Sequence, residues 1–250
     1  MPPIIDAHVQ VGRNTLLWSQ LRRELEGAGV LTAVLSASPH SPHLDDDRTL
    51  PLDLARPGGP FALYYVGGQP FCDTVFGPPG LPHDIAEYDG VSWHCVLSPS
   101  LDYGGSRSYG YWDDRDAGTV LESSGALEAL QRLEELDLPL RMQEHLPVVE
   151  AVRERLPRLR LIIPSLGRTT GGVTAATRRL AGDERVWFDT SNTELNEALV
   201  KRVGFERLLY ASDYPAGSPA ENIRQVRLLR IPAEQQQAIL GGNLLRLLAR

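Results

Sequence analysis

The sequence predicts an α/β fold, a single (β/α)8 barrel of TIM type spanning residues 1–250. Three observations predict it. Eight short apolar runs are separated by stretches of helical periodicity or by long connections, the order expected of parallel βαβ units that close on themselves. The length, 250 residues, is what one such barrel takes. No Gly-x-Gly-x-x-Gly follows the first run, which argues against a doubly wound dinucleotide-binding sheet.

The first strand is IIDAHVQVG, residues 4–12. Side chains alternate along a strand, so Asp6, His8 and Gln10 are expected on one face and Val9 and Val11 on the other. Apolar spacing predicts a helix over 15–28, ended by Gly29. Strand two is LTAVLSAS, 31–38, followed by a loop rich in proline and charge. His40 and His43 in that loop read as solvated, and Asp45, Asp46 and Asp47 as an exposed helix start. Strand three is FALYYVGG, 61–68, and strand four is GVSWHCVLS, 90–98. His94 shares its parity with Ser92 and Ser98, which fits either a site-facing residue or a hydrogen-bonded buried histidine.

The connection over 99–118 carries Tyr103, Tyr109, Tyr111 and Trp112 among many glycines. A connection of this length in a compact domain is often a lid or binding loop, so these rings are expected to face a ligand or to cover one end of the fold. A helix is expected over 120–137, leading into strand five at 138–145. A helix over 146–157 precedes strand six at 158–165. Helical patterns at 173–184 and 193–204 flank strand seven at 185–192. Strand eight and its loop are RLLYASDYP, 207–215, followed by helical stretches at 219–229 and 233–248.

The chemistry-bearing residues fall at the C-terminal ends of these strands, where barrels of this kind place their active sites. A net charge of −7 makes nucleic acid and anionic membranes poor partners. No apolar run is long enough to cross a bilayer. Cys72 and Cys95 are the two cysteines. Together with an N-terminus that runs straight into the first strand, they lead us to expect a reducing, cytoplasmic setting.

DAHVQVG, LDLPLRMQ, RLRLIIPSLG, VWFDTSN, RLLYASDYP and AILGGNLLRLL occur in an order that resembles the amidohydrolase superfamily. The likeness is to the amidohydrolase-related branch of metal-dependent hydrolases, decarboxylases and pyrone dicarboxylate lactonases. Ala211-Ser212-Asp213-Tyr214-Pro215 is similar to that family's Gly-Ser-Asp-Tyr-Pro. The resemblance implies two histidine ligands on strand one, one histidine each at the ends of strands five and six, and an aspartate after strand eight. Here those positions hold His8, Gln10, Gln143, Ser165 and Asp213. Glutamine and serine are weak zinc ligands. The expectation is therefore no metal and no other cofactor, unless Glu144 or His145 substitutes, which requires a bulge in strand five.

Arg141 shares the inward face of strand five with Gln143. It either forms a structural ion pair, with Asp6 or with Asp213, or it binds a substrate carboxylate or oxyanion, as can Arg168 at the mouth. The favoured function is metal-independent hydrolysis of a lactone or similar acyl bond in a small carboxylated molecule. Asp213 is the expected base and His8 its partner in proton work. Gln10, Gln143 and Ser165 line the pocket, with His94, Tyr109, Tyr111 and Trp112 as further substrate contacts. The alternatives are an inactive binding protein on the same scaffold, a decarboxylase, cyclase or isomerase, and a metal hydrolase with an unusual ligand set. Association into a homo-oligomer stays open.

Overall fold

A computed structural model describes residues 3–11, 15–37, 61–67, 81, 85–94, 97, 117–123 and 125–249. Eight parallel strands follow one another around the sheet in chain order. They are β1 Ile4–Val11, β2 Val30–Ala37, β3 Phe61–Gly67, β4 Gly90–His94, β5 Leu140–Gln143, β6 Leu161–Ile163, β7 Val186–Asp189 and β8 Leu208–Leu209. The last strand returns to the first. Ala7 N donates to Tyr210 O at 2.9 Å, Asp213 N to His8 O at 2.9 Å and Gln10 N to Tyr214 O at 2.8 Å. These bonds close the sheet into a barrel, leaving no open edge between β8 and β1.

The α-helices among the described residues are α1 Thr15–Ala28, α2 Ala117–Ser123, α3 Ala126–Glu135, α4 Leu146–Arg155, α5 Val173–Leu180, α6 Glu197–Val203, α7 Pro219–Leu228, α8 Ala233–Gln237 and α9 Asn243–Leu248. Local chemistry sets several of their ends. Ser218 caps α7, its hydroxyl accepting from Glu221 N, with Pro219 in the first turn. Asn196 caps α6 by accepting from Leu199 N at 3.1 Å. In α3, Ala126, Leu130 and Leu133 form the buried stripe.

Several regular elements are shorter than the patterns suggest. The helix expected over 120–137 is two helices, broken before Gly125, which takes a left-handed φ of 69°. Strand six stops at Ile163, because Ser165 (φ 51°) and Leu166 (φ 52°) turn left-handed. Strand eight keeps regular geometry only at Leu208–Leu209, although its backbone stays bonded to β1 through Tyr214. The C-terminal helical stretch is interrupted by a wide turn over Ala238–Gly242, where Gly241 lies against Pro3 O with no room for a Cβ.

The interior of the barrel is graded. Its N-terminal half is apolar, with Ile5, Val34, Ile162, Leu209 and Ala211 packed on Leu244 and Leu247 of α9. The last helix thus plugs the floor, and Arg160 ties it down by donating to Leu247 O. Burying a leucine of this kind contributes about 1.5–3 kcal/mol. Above this layer the inward side chains turn polar, and the pocket begins there.

Candidate active site

The pocket is lined by His8, Gln10, Ser36, Ser92, Arg141 and Gln143, with Trp93 and Pro164 beside them. His8, Gln10, Ser36, Ser92, Arg141 and Gln143 stand on β1, β2, β4 and β5. On β1, strict alternation would put Asp6 with His8 and Gln10. The structure departs from this: the register against β2 shifts between Asp6 and Val9. The irregularity lets Ile5 and Ala7 pack in the inner apolar cluster while His8 and Gln10 line the pocket. Asp6 is fully buried away from the pocket. Its Oδ1 accepts from His8 N at 3.1 Å and Ser212 N at 2.9 Å, and its Oδ2 from the Tyr210 hydroxyl at 3.3 Å. Burial pushes the Asp6 carboxyl up to about 6, against the lowering pull of its donors. Burial and the neighbouring Asp6 push the Tyr210 phenol up as well, so it stays a donor.

His8 lies between two carboxylates. Its Nδ1 is 3.2 Å from Asp189 Oδ2, and its Nε2 is 3.2 Å from Asp213 Oδ1. Asp213 Oδ1 also accepts from Gln10 Nε2 at 2.7 Å, and its Oδ2 from Asn192 Nδ2 at 2.6 Å. Asp189 is fully buried at the end of β7. Its Oδ1 accepts from Ser165 N at 2.8 Å, Ser191 N at 3.1 Å and Ser191 Oγ at 2.5 Å. Burial pulls its carboxyl upward, but the bonds from His8, Ser191 and Ser165 outweigh that and hold it below the usual carboxylate range.

The loops that present these groups share an unusual backbone. Ser165, Leu166, Asn192 and Asp213 all take positive φ, near 50°. Such residues are uncommon outside glycine and cluster at functional sites. They are tied together: Thr193 Oγ1 donates to Ser165 O at 2.9 Å, and Ser165 Oγ lies 3.1 Å from Ser191 Oγ. Gly217 closes the turn after Asp213, where an added Cβ would lie 2.2 Å from Ser212 O.

Arg141 is 2% exposed at the bottom of the pocket. Its guanidinium donates to Ser92 Oγ at 3.0 and 3.2 Å, Ser36 Oγ at 2.7 Å and Ala7 O at 3.2 Å. The alternative of an ion pair with Asp6 is not what the structure holds, because Asp6 spends its oxygens on His8, Ser212 and Tyr210. Arg168 is exposed at the mouth and donates to Asn192 O at 3.1 Å. Glu144 turns away from the pocket: its Oε1 accepts from the Trp93 indole at 2.7 Å and from Leu97 N at 2.9 Å. His145 caps α4 through its carbonyl, which accepts from Val148 and Val149. Burial lowers its imidazole below the ordinary range. Neither residue takes the place of a ligand on β5. The side chain of His94 lies outside the described residues, as do His40, His43, Tyr103, Tyr109, Tyr111 and Trp112.

The structure thus brings His8, Gln10, Arg141, Gln143 and Asp213 to one place, with Ser165 linked to His8 through Asp189. Sequence reasoning missed Asp189 and Asn192. Both stand in the VWFDTSN segment, and a strand ending in aspartate was the one signal available.

Residues 102–250, more than half of the chain, match the sequence model of the amidohydrolase family. The chain belongs to the amidohydrolase family. Solved structures in this family's fold superpose over nearly its whole length. An amidohydrolase from Burkholderia multivorans with bound HEPES is 17% identical, covers 98% of this chain and 99% of its own, and has a TM-score of 0.68. A second form of that protein, with bound zinc, has a TM-score of 0.61 at the same identity and coverage. 2,6-Dihydroxybenzoate decarboxylase from Rhizobium is 12% identical with 99% of both chains covered and a TM-score of 0.64. A dihydroxybenzoic acid decarboxylase from Polaromonas, with bound manganese and 2-nitroresorcinol, is 12% identical with a TM-score of 0.59, over 99% of this chain and 97% of its own. At these identities the likeness shows the fold. No curated protein sequence matches the chain.

The metals of these structures pose a question to this amidohydrolase's own donors. Catalytic zinc takes three protein ligands drawn from histidine, cysteine and carboxylate. Among the described residues no group of three or more such side chains is placed to hold a metal ion. His8 and Asp213 are of ligand type, but Gln10 turns an amide N–H, a donor, onto Asp213. Gln143 and Ser165 complete the set with neutral groups. This donor set does not fit a zinc site of that kind.

Proposed function

We propose that this chain hydrolyses a lactone or similar acyl bond in a small carboxylated molecule, using its own side chains in place of a metal. The observation that carries the reading is His8, held between Asp189 and Asp213 and lining a pocket whose floor is a buried guanidinium. Hydrolysis needs a group to take a proton from water and a group to steady negative charge. Asp213 is the acceptor: water adds to the acyl carbon as its proton passes to the carboxylate. The ring C–O bond then breaks, and the proton returns to the departing alkoxide. His8 backs Asp213 through Nε2. Arg141 holds the substrate carboxylate or the oxyanion through charge-assisted bonds. Gln10 and Gln143 line the path between them with neutral donors.

A panel of small lactones and carboxylated amides, assayed with chelator present, tests the reading. Ring opening that persists under chelation and disappears in Asp213→Asn is the expected result. Turnover that appears only after zinc is added would overturn it, as would carbon dioxide release from hydroxybenzoates with every lactone inert.

A further inference from the structure

Asp189 has one-sided surroundings. Its Oδ1 faces two backbone amides, of Ser165 and Ser191, which can only donate. The Ser191 hydroxyl joins them at 2.5 Å. The remaining oxygen, Oδ2, faces His8 Nδ1 at 3.2 Å. A carboxylate that accepts at every position requires a proton on that ring nitrogen. The negotiable proton then belongs to the other side of the ring, where Nε2 lies 3.2 Å from Asp213 Oδ1. Both oxygens of Asp213 already receive amide N–H groups, from Gln10 and Asn192, which fixes the carboxylate's orientation toward the ring.

We propose that Asp189 is a positioning residue that fixes His8 in the tautomer protonated on Nδ1, so that the proton worked by the site is the one between His8 Nε2 and Asp213 Oδ1. No other described side chain contacts Nδ1, and Asp189 touches neither the pocket nor Asp213. The same division of labour operates in serine hydrolases, where a buried aspartate holds a histidine in its working tautomer. The effect on turnover rests on the hydrolase reading above, whereas the tautomer is a property of the resting protein.

The test is a long-range proton–nitrogen correlation spectrum of the full chain, labelled with 15N-histidine, at neutral pH. His8 is assigned by the signals lost in His8→Gln. In the wild type, Nδ1 is expected to appear protonated. In Asp189→Asn the side-chain oxygen can still serve the serine donors, while the new amide N–H points at the ring. His8 should then shift its proton to Nε2. An unprotonated Nδ1 in the wild type would overturn the assignment, and that measurement stands even if the variant fails to fold. A folded Asp189→Asn with an unchanged His8 spectrum would overturn it too. With a substrate in hand, kcat should fall by about ten-thousand-fold with KM little changed. A change confined to KM would count against the role. A substrate panel with no turnover would sink the hydrolase reading and leave the spectra to decide the tautomer.

Discussion

Gln10 Nε2 donates to Asp213 Oδ1 at 2.7 Å, and His8 Nε2 faces the same oxygen at 3.2 Å. Of three positions that hold metal ligands in the family resemblance, two, His8 and Gln10, here meet on the third, Asp213. An amide N–H is a donor, and its partial positive charge on the carboxylate stands against a cation there. Purified protein should therefore carry no stoichiometric zinc or manganese by elemental analysis. Replacing Gln10, Gln143 and Ser165 with histidine should let the folded variant take up cobalt, read from its visible absorption. One tightly held zinc per wild-type chain would defeat the expectation.

Asp213→Asn keeps the shape of the side chain and removes its basicity. Turnover should fall by roughly a hundred- to ten-thousand-fold, the contribution of a positioned general base. Because Asp213 bonds to Gln10, Asn192 and His8, and not to Arg141, the variant sets the new amide against the existing donors. A loss of about 1–3 kcal/mol in stability is expected alongside, read from thermal melts. Near-normal turnover in the folded variant would move the base to His8.

The barrel, its closure through Asp213 and the convergence of His8, Gln10, Arg141 and Gln143 were legible because each depends on strand parity and on position at a strand's end. What parity cannot see was missed. The register shift between Asp6 and Val9 takes Asp6 off the pocket face, and bulges leave no mark in the alternation itself. The His8–Asp189 contact joins residues 181 positions apart, and nothing in either segment names the other. Ser165 reads as the last residue of a strand, whereas its left-handed turn sends its amide to Asp189. Arg141 illustrates the same limit: a buried cation calls for acceptors, but the sequence does not say that two serine hydroxyls and a carbonyl supply them.

Gly217 tests whether the turn behind Asp213 is as tight as it looks. A methyl group there meets Ser212 O at 2.2 Å and approaches Asn192 Oδ1 at 3.5 Å, so the backbone must move. Gly217→Ala should destabilise the protein by about 1–3 kcal/mol, as overpacking generally does. It should also lower kcat, because Gly217 N donates to Asp213 O at 3.1 Å and the movement is passed to the carboxylate. A variant with unchanged melting temperature and unchanged turnover would show that the loop has slack.

Asp6 gives a pH dependence whose sign follows from its burial. Its carboxyl sits at about 6 in the folded chain against 3.8 when unperturbed, and burial is the main cause. Between those values the folded state holds a proton that the unfolded state has released. Stability from this group is therefore fully present below pH 3.8 and is lost as pH rises through about 6. The whole loss is roughly 3 kcal/mol, at about 1.4 kcal/mol for each tenfold change in proton affinity. The ionised form persists at neutral pH because His8 N, Ser212 N and the Tyr210 hydroxyl all donate to it. Asp6→Asn removes the titration while keeping one acceptor for the two amides. Urea denaturation of both proteins from about pH 4 to about pH 7 isolates the effect, since every other group titrates in both. The stability of Asp6→Asn relative to wild type should climb by about 3 kcal/mol across that range and level off above about pH 7. Parallel curves would mean that Asp6 titrates in the ordinary carboxylate range, and that the bonds closing β8 onto β1 hold its charge without penalty.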